Sequence, residues 1–152
     1  MLVELDTSEI FLNLWQGSRP PLGSILRELG FNTLVLCARE WQPAPSMFSG
    51  IEVLYAPNED DYYQYPTNHQ LHIAVRTARQ VAKGLKVGDK TLVTCWQGWN
   101  RSGLVSALAL HYLTGRSGLE CKLRVQKKRK GTLANPLFCS FLDSIPETIH
   151  IP

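Results

Sequence analysis

The chain has 152 residues, of which 44% are hydrophobic and 19% charged, and its net charge is +3. That balance suits one globular domain, read as residues 1–152, with enough core to fold without a disulfide or metal staple. No apolar run approaches the ~18 residues of a membrane span, and the N-terminus lacks the basic-then-apolar pattern of a signal peptide, so membrane, coiled-coil, collagenous and disordered classes are set aside.

In chain order, Leu12–Gly17 alternates apolar and polar residues and predicts a strand, and Ser18–Gly23 a turn. Ser24–Leu29 predicts a short helix stopped by Gly30, and Thr33–Cys37 a buried strand. Residues 38–50, with two prolines and a glycine, predict a loop before a strand over Ile51–Ala56. A polar loop, Pro57–Asp61, follows and continues through Tyr62, Tyr63 and Tyr65. Thr67 and Gln70 form a capping box opening a helix that carries Leu71, Val75, Ala78, Val81 and Leu85 at helical spacing. Thr91–Cys95 predicts a third buried strand, Gly103–Leu113 a buried helix, and Leu119–Lys128 and Asn135–Asp143 two further helices. Strands alternating with helices predict an α/β fold: a central, mostly parallel sheet flanked by helices.

The four cysteines, Cys37, Cys95, Cys121 and Cys139, are widely spaced and make no zinc pattern with the four histidines. No metal or cofactor is expected, and reduced thiols fit a cytoplasmic monomer with no membrane partner. Cys37 could approach Cys95 but reads better as an inert buried thiol, Cys121 and Cys139 read as helix core, and His111 as packing. Residues 116–130 hold seven basic side chains against Glu120, a local +6 that leaves −3 for the rest. Such a run reads first as a solvated helix face, and otherwise as a surface for an anionic partner.

The segment Thr94-Cys-Trp-Gln-Gly-Trp-Asn-Arg-Ser-Gly103 carries the chemistry. A buried strand delivers Cys95 to a tight loop, and a buried helix leaves from Ser102. Backbone amides of such a loop, with the positive end of the helix, can surround a tetrahedral dianion. Gly98 permits the turn, and Arg101 adds a planar fork for two phosphate oxygens. The same field favours a thiolate on Cys95.

Cys95, five residues, then Arg101-Ser102, between strand and helix, resembles the phosphate-binding signature of the cysteine-based protein tyrosine phosphatases. The small size is similar to the dual-specificity branch. Leu14-Trp-Gln-Gly-Ser18, Leu29-Gly-Phe-Asn-Thr-Leu-Val35, and Ala134-Asn135 with Phe138 resemble further segments of that branch, so the resemblance runs along nearly the whole chain. It implies Cys95 as nucleophile, Arg101 as phosphate ligand and Ser102 as the hydroxyl that eases release of the sulfur, with a helix N-cap as the plain alternative for Ser102. Trp96, Gln97, Gly98, Trp99 and Asn100 would complete the substrate-binding loop, with a tryptophan and the tyrosines near 62–65 walling its mouth. The general acid of that branch lies three positions after a proline that ends a strand. Pro57 thus selects Asp60, with Asp61 and Glu59 as neighbouring alternatives and a merely solvated acidic loop as the plain one. Thr94 stands where the family has His.

The function implied is hydrolysis of phosphomonoesters on phosphoprotein or phosphopeptide substrates, phosphotyrosine before phosphoserine and phosphothreonine, through a cysteinyl-phosphate. Gly98-Trp-Asn-Arg-Ser-Gly103 also resembles the loop of RNA 5′-triphosphatases of the same superfamily, which makes RNA the alternative partner. A phospho-binding pseudophosphatase is the third reading.

Overall fold

The computed structural model describes residues 5–148. Five strands form one sheet: β1 (Thr7–Phe11), β2 (Leu14–Gly17), β3 (Thr33–Ala38), β4 (Glu52–Asn58) and β5 (Thr91–Thr94). Their spatial order is β1-β2-β5-β3-β4, with only β1 antiparallel to its neighbour. Five helices accompany them: α1 (Gly23–Glu28), α2 (Asn68–Lys86), α3 (Arg101–Thr114), α4 (Gly118–Lys128) and α5 (Pro136–Asp143). No described helix is long and apolar enough to cross a membrane. The expected α/β sheet is present.

The two faces of the sheet are sorted by the two-residue period of the strands. Val35, Cys37, Val93 and Cys95 face the larger core, formed with α2 to α5, where Ala78, Leu104, Leu108 and Phe138 are buried. Leu34, Leu36 and Leu92 face a smaller core closed by Leu26 of α1 and by Phe48, in a single 3-10 turn at Pro45–Phe48. Because β3 and β5 are covered on both faces, every residue of each is buried and their sequences lack polar–apolar alternation. α3 is buried almost all round from Ser102 to His111, which is why it shows no polar face in the sequence.

The N-terminal strand differs from the sequence reading. Leu12 and Asn13 are not strand residues but the turn of a β1–β2 hairpin, with Asn13 at φ 67°. Asn tolerates that left-handed conformation at modest cost. β1 shows no clean alternation because it is an edge strand with only Ile10 buried. β4 also runs to Asn58, through Pro57, because it lies at the opposite edge.

The parallel register sets the carboxyl ends of four strands side by side. Gly17 pairs with Thr94, Thr94 with Leu36, and Ala38 with Asn58. In open α/β sheets, ligands are bound outside that edge. The loops that leave it are Ser18 onward, Arg39–Glu40, Glu59–Asp61 and Cys95–Asn100.

Leu108 lies fully buried where α3 meets the sheet. Leu108→Ala should cost about 2–5 kcal/mol of stability, read from chemical denaturation followed by circular dichroism.

Candidate active site

Cys95 follows β5 and is 5% exposed. Its Sγ lies 3.2 Å from Oγ of Ser102, itself fully buried in the first turn of α3. A hollow of about 110 Å³ opens above the sulfur, walled by Glu40, Asp60, Trp96, Trp99 and Arg101 among others. Thr94 serves the sheet rather than the sulfur, since its hydroxyl donates to the Val35 carbonyl at 2.8 Å and ties β5 to β3.

The loop from Cys95 to Asn100 is held from outside by its carbonyls. Gly98 O accepts from Gln16 Nε2 at 2.9 Å and from Arg129 Nε at 2.8 Å. Gln97 O accepts from Arg129 Nη2 at 3.1 Å, and Trp99 O from Leu133 N at 3.0 Å. In a planar trans peptide, C=O and the next N–H point in opposite directions. Three outward carbonyls therefore turn the amides of Gly98, Trp99 and Asn100 inward. Among the described residues those amides have no protein acceptor. Gly98 has φ 75°, and a Cβ there would run into the Gly17 carbonyl and Ser18 N, so the turn excludes a side chain on two grounds. Asn100 stands at the N-cap of α3 but makes no side-chain cap, which leaves the first amides of the helix uncovered as well. The result is a ring of donors suited to an oxyanion.

Arg101 presents one occupied and one free edge to this ring. Nη1 and Nη2 donate to the two carboxylate oxygens of Glu40 at 2.6 and 2.8 Å, and Nη1 also to Asn58 O at 3.2 Å. Nε is buried with no partner among the described residues. The Glu40 pair thus fixes the guanidinium plane and leaves the Nε side for a second bidentate acceptor. The same pairing holds the Glu40 carboxyl below its ordinary range.

The three residues of the acidic triplet have separate partners. Glu59 pairs with Arg39 at the surface. The Asp61 carboxylate accepts from Tyr63 N at 2.8 Å and Gln64 N at 3.1 Å, a local turn. Only Asp60 joins the wall of the Cys95 hollow. Its two oxygens each accept an amide proton at 2.8 Å, one from Asn100 and one from Asn135.

Trp96 and Trp99 are both partly exposed, and both line this hollow and a larger, shallower groove of about 480 Å³ beside it, whose lining also includes Lys128 and Lys130. The Arg19 guanidinium covers the Trp96 ring at 4.2 Å. Of the three tyrosines, Tyr62 touches the loop, accepting from Asn100 Nδ2 at 2.9 Å, while Tyr65 lines a different hollow and Tyr63 is exposed. Cys37 is fully buried, and burial together with the nearby Cys95 keeps its thiol pKa well above the usual value. His111 Nδ1 meets Arg116 O at 2.7 Å, and Cys139 packs against the larger core while keeping part of its surface exposed.

The basic run is not simply a solvated face. Arg116 pairs with Glu120 and Lys122 with Asp143. Arg124 reaches Ile10 O at 3.1 Å, and Arg129 is 7% exposed beneath the loop. Arg129 and Gln16, which share the Gly98 carbonyl, are like Glu40 not legible as site residues in the sequence. Each acts on the loop or on Arg101 across a long sequence separation, and charge clustering alone does not separate a buried arginine from its exposed neighbours.

This fold, with its strand-loop-helix site, is that of the cysteine-based protein tyrosine phosphatase superfamily. The similar solved structures include its dual-specificity members. Human DUSP28 is 24% identical over 92% of each chain, with a TM-score of 0.74. Tk-PTP in its active form is 25% identical over 95% of this chain and 98% of that one, at 0.76, and DUSP15 is 16% identical over 90% and 85%, at 0.74. No protein-family model and no curated protein sequence matches the chain.

Asp6 accepts from Arg129 Nη2 at 3.0 Å, which holds its carboxyl below the ordinary value of 3.8. A depressed carboxylate stabilises the fold at neutral pH and loses that contribution as pH falls through its folded pKa. Asp6→Asn should therefore lower the urea midpoint at pH 7, and the difference from wild type should vanish well below pH 3.8.

Proposed function

We propose that the chain is a cysteine-dependent phosphatase acting on phosphomonoesters of proteins, with phosphotyrosine ahead of phosphoserine and phosphothreonine. The observation that carries this reading is Cys95 Sγ at the floor of a donor ring, beside the free edge of Arg101 and 3.2 Å from Ser102 Oγ. In the first step the Cys95 thiolate attacks phosphorus as the P–O bond to the leaving group breaks, and Asp60 gives its proton to the departing oxygen. Loop amides and Arg101 hold the equatorial oxygens as charge builds on them. In the second step water attacks phosphorus, Asp60 takes a proton from it, and the S–P bond breaks to return the thiolate. The Ser102 hydroxyl, in reach of the sulfur, stabilises that departure. Each carboxylate oxygen of Asp60 has two lone-pair sites and uses one for an asparagine amide, so a site for the proton remains.

The alkoxide or phenoxide of a phosphomonoester is a poor leaving group unless protonated as it departs, whereas a diphosphate leaves without help, so Asp60 on the wall of the hollow supports monoesters. Two exposed tryptophans at the mouth support an aromatic leaving group. The groove with Lys128 and Lys130 also favours a second reading, in which the 5′ end of RNA is the substrate.

Cys95→Ser should abolish turnover, and Arg101→Lys should nearly do so because lysine lacks the two-pronged geometry. Both should keep the wild-type circular dichroism spectrum. Metal-free turnover by the serine variant in EDTA would rule out the cysteinyl-phosphate.

The substrate is decided by kcat/KM on phosphotyrosine, phosphoserine and phosphothreonine peptides beside triphosphorylated RNA. Phosphotyrosine peptides should be hydrolysed fastest. Faster phosphate release from RNA than from any peptide would transfer the assignment to RNA 5′ ends.

A further inference from the structure

Asn100 and Asn135 are both buried, at 5% and 0% exposure, and all four of their amide protons are donated. Asn100 Nδ2 gives one to Asp60 Oδ2 at 2.8 Å and one to Tyr62 Oη at 2.9 Å. Asn135 Nδ2 gives one to Asp60 Oδ1 at 2.8 Å and one to Asp61 O at 3.1 Å. The two asparagines are also joined, since Asn100 Oδ1 accepts from Asn135 N at 3.0 Å. Asn135 Oδ1 accepts from Leu137 N at 2.9 Å, at the start of α5. The chemistry fixes the amide orientations: a backbone N–H can only donate, so each side-chain oxygen faces one, Asn100 Oδ1 that of Asn135 and Asn135 Oδ1 that of Leu137, and each Nδ2 is turned toward Asp60.

Asn100 gives up a helix cap to make this arrangement, while Asn135 keeps its own. Asn is a preferred N-cap, yet Asn100 leaves α3 without a side-chain cap and turns toward Asp60 instead. Asp60 follows the last strand residue, Asn58, by two positions, on a polar loop whose next residues include the exposed Tyr63. Its carboxylate is nonetheless gripped at both oxygens by groups from two separate elements. One is the anion-binding loop and the other is the N-terminus of α5.

We propose that Asn100 and Asn135 are positioning residues that clamp Asp60 over the Cys95 hollow, so that the acid stands in its working place before substrate arrives. The inference rests on the reading of Asp60 as general acid. The clamp makes the acid's position depend on the same loop that holds the phosphate.

The test compares Asn100→Ala and Asn135→Ser with Asp60→Ala; alanine at 100 removes the grip on Asp60 without placing a new cap on the bare start of α3. Serine keeps the α5 cap at position 135 but is too short to reach the Asp60 carboxylate. Turnover is measured on phosphotyrosine, a poor leaving group, and on 4-nitrophenyl phosphate, a better one. Asp60→Ala should lower kcat on phosphotyrosine by about 10²-fold or more and flatten the alkaline limb of its pH profile, with a smaller loss on the nitrophenyl ester. Each asparagine variant should lower phosphotyrosine kcat by roughly 10-fold or more, again with less effect on the nitrophenyl ester and with vanadate affinity unchanged. Added to Asp60→Ala, either change should cost nothing further. Equal losses on both esters, weakened vanadate binding, or additive losses in the double variants would overturn the clamp. If Asp60→Ala itself shows no leaving-group dependence, the acid assignment fails and the clamp with it. If only the asparagine variants lack it, the clamp alone fails. Should Asn135→Ser not fold, Asn100→Ala carries the test, because the Asn100 side chain caps no helix.

Discussion

The outward anchoring of three carbonyls is the constraint on which the site depends. Gln97, Gly98 and Trp99 direct their C=O groups to Arg129, Gln16 and Leu133, and the amides that follow have no direction left but inward. The donors that fix this geometry come from distant parts of the chain. Gln16 sits on β2 and Arg129 just beyond α4, so the hairpin, the sheet and the helical layer must all be in place before the ring exists. Arg129 is a buried charge, which is tolerable only because every part of its guanidinium is engaged: Nε and Nη2 on loop carbonyls, Nη2 also on Asp6, and Nη1 on Ser8 Oγ at 3.3 Å.

A second layer of constraint acts on the two charged groups facing the hollow. Glu40 settles the plane of Arg101, and the two asparagines settle the carboxylate of Asp60. The catalytic proposal therefore draws on residues from four strand ends and from the start of α5. Holding reactive groups in place beforehand avoids reorganisation during reaction.

The sequence and the structure agree best where a physical signal is local. β3 and β5 are legible as short runs without polar–apolar alternation, α2 by its capping box, and the Cys95–Arg101 loop by its position between a buried strand and a buried helix. The triplet at 59–61 is not divisible by residue type alone; the family resemblance at Pro57 picks out Asp60, and in the structure Asp60 is the member that joins the pocket wall. β1 is not legible because an edge strand with one buried residue carries no alternation, and its turn residues, Leu12 and Asn13, extend the apparent pattern of β2. The supports of the loop, Gln16 and Arg129, are invisible because their partners are backbone carbonyls, which leave no trace in residue types. Asn100 lies in the loop as its sequence position implies, but its side chain is spent on Asp60 and Tyr62 rather than offered to substrate.

The bare N-terminus of α3 has a thermodynamic consequence. A helix start with no side-chain cap, next to a loop whose amides lack protein acceptors, is a set of donors left to the solvent. Any oxyanion that seats there binds the folded chain and not the unfolded one, so its binding free energy adds to the free energy of folding. Inorganic phosphate, the product of the proposed reaction, is such an anion. The tighter the ring grips phosphoryl oxygens, the more firmly it retains the product and the more the chain resists unfolding while the product stays. Conformational stability and ease of product release are thus set against each other by one uncapped helix.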